Sequence, residues 1–134
     1  MGETGVQGGD DLEIRESAEN YLETILMLSG RKSPIRAIDI VNELDFTKPS
    51  VSVAMKKLRK SGYIEVDADG YITLTESGQK IAKSMYERHE LISGWLISLG
   101  VDKETAVNDA CRIEHGISEM SFLAIKKHIL EKKA

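Results

Sequence analysis

Thr47-Lys48-Pro49-Ser50-Val51-Ser52-Val53-Ala54-Met55-Lys56-Lys57-Leu58-Arg59-Lys60-Ser61-Gly62 decides the architecture of the first half of the chain. Pro49 suits the first turn of a helix, where a missing N–H loses no partner. Val51, Met55 and Leu58 recur at helical spacing and form an inward stripe. Ser50, Val53, Lys56, Lys57 and Lys60 fall on the opposite side, and Ser61-Gly62 closes the helix. Upstream, Pro34 is expected to open a shorter helix with Ala37, Ile40, Val41 and Leu44 at i, i+3, i+4 and i+7. Asp45-Phe46-Thr47-Lys48 is the break between the two. Two short helices joined by a few residues, the second one basic, read as a helix-turn-helix.

Downstream, Ile64-Glu65-Val66 and Tyr71-Ile72-Thr73-Leu74 flank Asp67-Ala68-Asp69-Gly70. Asp-Gly between short alternating runs is a hairpin signal. A helix-turn-helix followed at once by a two-stranded ribbon is a winged helix. The basic helix favours DNA over the alternative of a winged module that binds protein. Upstream again, residues 16–28 carry Ala18, Tyr21, Leu22, Ile25 and Leu26 at helical spacing, with Asn20 and Glu23 on a more polar face. By itself that face is most simply solvated surface.

Beyond the wing, a helix is expected from Glu76 to Leu99, with Thr75 as N-cap and an inward line of Ile81, Met85, Ile92, Leu96 and Leu99. His89 falls on this line, where a histidine is more often core than ligand. Asp102 or Thr105 starts another helix, Gly116 and Ser118 interrupt it, and Phe122, Leu123, Ile125, Ile129 and Leu130 give a last helix its apolar side. So much apolar helix after a complete winged domain implies a dimerisation unit. The fold class expected is mainly α: residues 1–12 a mobile tail, 13–75 a winged helix-turn-helix DNA-binding domain, 76–134 a helical metal-binding and dimerisation domain.

Composition bounds the function classes. The chain has 134 residues, 41% hydrophobic and 30% charged, enough for one compact domain or two small ones sharing helices. No apolar run is long enough for a membrane span, and the Gly-rich, acidic N-terminus lacks a signal-peptide core. One cysteine, Cys111, permits no intrachain disulfide and fits a reducing cytoplasm. The formal charge is −4, yet residues 30–61 hold eight Lys and Arg against three acids, a net +5. A basic block on an acidic chain is the footprint of a localised phosphate-binding surface.

Cys111, Glu114 and His115 carry the other chemistry. Residues three and four apart share one helix face, so a thiol, a carboxylate and an imidazole come within reach of one ion. That mixed S/O/N set suits a first-row divalent metal better than Ca²⁺ or Mg²⁺. A packed cysteine beside a polar edge of Arg112, Glu114 and His115 is the plain alternative.

Taken together, five segments resemble the metal-dependent repressors of the diphtheria toxin repressor and manganese transport regulator type. They are Glu19-Asn20-Tyr21-Leu22-Glu23-Thr24-Ile25, Lys48-Pro49-Ser50-Val51-Ser52, Leu74-Thr75-Glu76-Ser77-Gly78, Arg88-His89-Glu90-Leu91 and Cys111-Arg112-Ile113-Glu114-His115. The resemblance implies a cytoplasmic winged-helix homodimer that binds operator DNA when loaded with Fe²⁺ or Mn²⁺ and controls metal-uptake genes. In length the chain is similar to the manganese type, without the SH3-like domain of iron-type members. Glu114 and His115 match family ligands; Cys111 matches a ligand that is cysteine in the iron type and a bridging glutamate in the manganese type. His89 matches a ligand of both types and Glu23 one of the manganese type. Asn20 stands where relatives carry methionine or aspartate, and Ser93 and Val107 stand where the second iron-type site has glutamate and histidine. The implied metal set is therefore Asn20, Glu23, His89, Cys111, Glu114 and His115.

A metal drawing ligands from both halves would fix the spacing of two recognition helices about 34–36 Å apart in a dimer. Arg36, Lys56, Lys57 and Lys60 are expected on phosphates, and Ser50, Ser52 and Val53 at base edges, behind the Thr47-Lys48-Pro49 helix entry. Thiolate leans the metal toward Fe²⁺, with Mn²⁺ the alternative. No membrane and no small organic substrate is expected. A winged-helix regulator not gated by metal is the runner-up. An enzyme is disfavoured, since no nucleophile–base pair and no Gly-rich phosphate loop occurs.

Overall fold

The computed structural model describes the backbone of residues 2–133 and the side chains of residues 15–132. Among these described residues, six helices and one two-stranded sheet follow in the order α1 (Gly2–Arg31), α2 (Ala37–Leu44), α3 (Lys48–Lys60), β1 (Ile64–Val66), β2 (Ile72–Leu74), α4 (Glu76–Ser98), α5 (Lys103–Gly116) and α6 (Glu119–Lys133). The chain divides into two compact units, Met1–Lys83 and Ser84–Ala134. The division falls inside α4, later than the 75/76 boundary expected from the sequence. The backbone of α1 is helical from Gly2, upstream of the expected start at Glu16. The tail expected over residues 1–12 lies where side chains are outside the described residues.

The first unit is a winged helix-turn-helix. Its core gathers Leu22 and Ile25 from α1, Ile40 from α2, Val51, Met55 and Leu58 from α3, Ile64 and Ile72 from the strands, and Ala82 from α4. Leu22, Ile25, Ile40, Val51 and Ala82 are fully excluded from solvent. The inward stripe of α3 is therefore the one its sequence spacing describes. Helix α2 begins at Ala37 and not at Pro34. Ile35 is drawn instead into an isolated bridge with Ile72, whose N–H donates to the Ile35 carbonyl at 2.9 Å. A strand-like pairing across the sequence thus overrides the helix start that Pro34 advertises. At the true start, the Arg36 N–H donates to the Asp39 carboxylate at 2.8 Å, and Lys32 Nζ reaches the same group at 2.8 Å. These two hydrogen bonds, Lys32 first, hold the Asp39 carboxyl below its ordinary value.

The wing pairs antiparallel with Glu65 opposite Thr73. Its turn is organised by one side chain: Asp67 Oδ1 accepts the N–H groups of Asp69 and Tyr71, both at 2.9 Å. Gly70 takes φ 83°, a left-handed conformation that the missing Cβ makes cheap. Behind the wing, the Thr75 hydroxyl accepts the Gly78 N–H at 3.2 Å, capping α4, and donates to the Gly62 carbonyl at 2.6 Å. A Cβ on Gly78 would collide with the Tyr63 carbonyl, so glycine is obligatory where α4 crosses the end of the α3–β1 connection.

In the second unit, Ile92 of α4, Ala110 of α5 and Phe122 of α6 form the centre, with Leu91, Leu96 and Ile117 against them. Three expected core positions differ. Leu99, placed on the inward line of α4, is 65% exposed because the helix ends at Ser98 and turns away. On α6, Phe122 and Ile129 are buried while Leu123 and Leu130 are half exposed, so the apolar side splits into an inner and an outer line. Asp102 caps α5 by accepting the Thr105 N–H at 3.0 Å, and that bond lowers its own carboxyl pKa. Ser118 caps α6 through the Ser121 N–H at 3.1 Å.

Candidate metal centre and nucleic-acid interface

Helix α3 presents a clean division of labour. Thr47 is its N-cap: the hydroxyl accepts the Ser50 N–H at 3.2 Å and donates to Ser50 Oγ at 2.8 Å. Lys48, Pro49, Ser50, Ser52, Val53, Lys56, Lys57 and Lys60 are all exposed, and Val53 is 52% open to solvent. Val53 is an apolar side chain among serines and lysines, of a chemistry that can meet a base methyl group. Arg36 is exposed as well, its guanidinium carbon 4.6 Å above the Tyr71 ring of the wing, a cation–π contact that aims the cation beside the hairpin.

The basic block is more focused than its count suggests. Arg31 pairs with Glu43 at 3.2 Å and Lys32 with Asp39 at 2.8 Å, so those charges largely cancel. Helix α3 itself carries Lys48, Lys56, Lys57, Arg59 and Lys60 and no acid of its own. Sequence reading missed this focusing, since the pairing acids sit on α2, seven and twelve residues away.

The second unit brings the thiol, carboxylate and imidazole together. One ligand atom each from Cys111, Glu114 and His115 lies within 4.8 Å of the others. Ligand atoms bound to one first-row ion at about 2.0–2.3 Å can be at most about 4.6 Å apart, so small side-chain adjustments suffice. Glu114 is 1% exposed; its Oε1 lies 3.3 Å from His115 Nε2 and its Oε2 lies 3.1 Å from His89 Nδ1. His89 is thus a partner of the cluster and not an isolated core histidine. A carboxylate and two imidazoles drawn together out of solvent are groups that a divalent cation can take as ligands. Cys111 lies at the solvent side. The donor set fits an S/O/N-binding divalent metal.

Asn20 and Glu23 belong to α1 of the first unit. The Asn20 carbonyl accepts the Thr24 hydroxyl at 2.8 Å, and Glu23, expected on a polar face, is 5% exposed. Ser93 and Val107 add no ligand: the Ser93 hydroxyl donates to its own helix at the Glu90 carbonyl, 3.3 Å away.

A winged helix with a basic exposed recognition helix, joined to a helical unit bearing a buried ligand cluster, is the build of an effector-responsive DNA-binding regulator. Comparison with known proteins narrows the class. Residues 13–71 match the family model described as the iron dependent repressor N-terminal DNA binding domain. Residues 75–131 match that of the iron dependent repressor metal binding and dimerisation domain. The chain belongs to the iron-dependent repressor family, whose members are transcriptional regulators and not enzymes. It is 37% identical over 102 residues to the HTH-type transcriptional regulator MntR of Lysinibacillus sphaericus (strain C3-41), covering 76% of this chain and 73% of that protein. It is 33% identical over 112 residues to the transcriptional regulator MntR of Escherichia coli O6:H1 (strain CFT073), covering 84% and 72%. The solved structure of the manganese regulator SloR superposes with a TM-score of 0.75 at 29% identity, covering 84% of this chain and 53% of that one. The chain therefore spans about half the length of that structure. No helix among the described residues is long and apolar enough to cross a membrane.

Proposed function

We propose that the chain is a metal-gated transcriptional repressor that binds operator DNA as a homodimer in the cytoplasm and controls genes for metal uptake. The observation that carries this reading is the nearly fully buried Glu114, gripped between His89 and His115 with Cys111 one turn away. In this reading His89, Cys111, Glu114 and His115 hold the ion from the helical unit. Asn20 and Glu23 complete the set from α1, a role resting on the resemblance drawn from the sequence. The ion supplies charge neutralisation for the buried carboxylates. Drawing ligands from both halves of the chain converts binding into a change in the population of DNA-competent dimers. Lys56, Lys57, Lys60 and Arg36 then supply phosphate contacts, while Ser50, Ser52 and Val53, entered through Thr47, Lys48 and Pro49, read base edges.

For the metal, the thiolate of Cys111 favours Fe²⁺. Mn²⁺ is the second reading, and the names of the relatives support it. Gel-shift titration under anaerobic conditions, with Fe²⁺, Mn²⁺ and Zn²⁺ side by side, tests both. Retardation should appear only with metal and vanish in Glu114→Gln and His115→Ala. Retardation that is indifferent to metal and chelator would instead make the chain a winged-helix regulator without metal gating.

A further inference from the structure

Arg88 immediately precedes His89 on α4 and is 6% exposed, although arginine is among the residues least often buried. Its Nη1 donates to the backbone carbonyls of Glu114 at 3.0 Å and Ile117 at 2.8 Å. Its Nη2 donates to Glu119 at 2.9 Å, and the guanidinium lies 5.1 Å from the centre of the Phe122 ring. Glu114 and His115 occupy the last turn of α5, which ends at Gly116. Helix ends leave their final carbonyls without intrahelical partners and open more readily than helix centres. The ligand pair thus stands on the part of α5 that would otherwise be least secure.

We infer that Arg88 is a positioning residue for the metal centre: its planar fork caps the C-terminal end of α5 and so fixes the backbone from which Glu114 and His115 project. Two consecutive residues of α4 then hold Glu114 from opposite ends, His89 at the carboxylate and Arg88 at the main-chain carbonyl. The cation also complements the negative end of the α5 dipole. Anchoring Glu119 at the start of α6 prevents the α5–α6 corner from swinging. Arg88 touches no ion in this role. It lowers the ordering that binding would otherwise have to impose on the last turn of α5.

The inference rests on the metal reading above, and the test separates the two. Co²⁺ affinity of the full chain is measured by chelator competition for wild type, Arg88→Met, Arg88→Lys, Glu119→Gln and Ile129→Ala, alongside apo melting temperature and the electronic spectrum at saturating Co²⁺. Ile129 is a buried residue of α6 outside the arginine's contacts and serves as a control for lost stability alone. Removal of outer-shell partners weakens metal binding by about 10–100-fold, and Arg88→Met is expected in that range with a shifted Co²⁺ spectrum. Arg88→Lys keeps the charge without the fork and should recover only part of the affinity. Glu119→Gln, which leaves both carbonyl contacts in place, should cost least. If Arg88→Met does not fold, the order wild type, Glu119→Gln, Arg88→Lys still decides the matter. Unchanged affinity in Arg88→Lys and Arg88→Met, or an equal loss in Ile129→Ala at matched melting temperature, overturns the inference while leaving metal binding intact. Wild type that fails to bind Co²⁺ overturns the metal reading itself, and the role of Arg88 with it.

Discussion

Replacing Lys56, Lys57 and Lys60 together by glutamine should strip most of the salt dependence from DNA binding while leaving the fold intact. All three side chains are exposed and lie opposite the buried Val51–Met55–Leu58 stripe, so glutamine removes charge without touching the core. Each lysine that neutralises a phosphate contributes about 0.9 to the slope of log affinity against log salt. Three lysines per protomer give about 2.7, or about 5.4 for a two-fold dimer, if every one reaches a phosphate. Between about 50 and 200 mM salt, that share alone is worth on the order of 10³-fold in affinity. Fluorescence anisotropy of the metal-loaded protein on a duplex several turns long, repeated across salt concentrations, measures the slope directly. Arg59→Gln is the comparison, because Arg59 lies beside the buried face and lines the cleft at the base of the wing with Glu65 and Thr75. Its slope change should be small. A triple variant that retains the wild-type slope and melting temperature would refute the assignment of α3 as the phosphate-facing surface.

Three further outcomes are expected. Gly78→Ala drives a Cβ into the Tyr63 carbonyl and should destabilise the first unit by about 1–3 kcal/mol, read as a lower urea midpoint at unchanged m. Asp39, depressed below 3.8 by Lys32 and the Arg36 N–H, contributes stability that is complete above 3.8 and fades as pH falls through its lower folded value. The stability gap between wild type and Asp39→Asn should therefore be constant near neutrality and close only in acid, as urea melts across that range will register. Cys111→Glu exchanges a thiolate for an oxygen ligand and should shift preference from Fe²⁺ and Zn²⁺ toward Mn²⁺, measured as the ratio of dissociation constants in chelator competition.

Local patterns made much of the molecule legible in its sequence. The α3 stripe, the Asp-Gly wing turn, the Thr75 cap and the Cys111/Glu114/His115 face all depend on residues within a few positions of one another. What escaped depends on distant partners. The helix start at Pro34 lost to a bridge between Ile35 and Ile72, and nothing near Pro34 announces a strand thirty-seven residues on. By helical position alone His89 reads as core, and it joined the metal set only through the family resemblance, because its companion, Glu114, is twenty-five residues away. Leu123 and Leu130 were assigned to the same apolar side as Phe122 and Ile129, yet a helix of that composition carries two apolar lines and the sequence does not say which faces inward. Arg88 stood out only as part of a family resemblance, since a guanidinium that caps another helix leaves no periodic trace.

The charge gathered on α3 has a kinetic consequence. On a chain negative overall, a helix that carries Lys48, Lys56, Lys57, Arg59 and Lys60 and no acid of its own offers a polyanion a localised positive face and not a diffuse positive cloud. Attraction at that face raises the local concentration of duplex beside α3 and enriches the encounters that meet it. Collisions that must otherwise tumble into register become short searches along the groove. The rate of finding a site, as well as the strength of holding it, then falls steeply when salt is added.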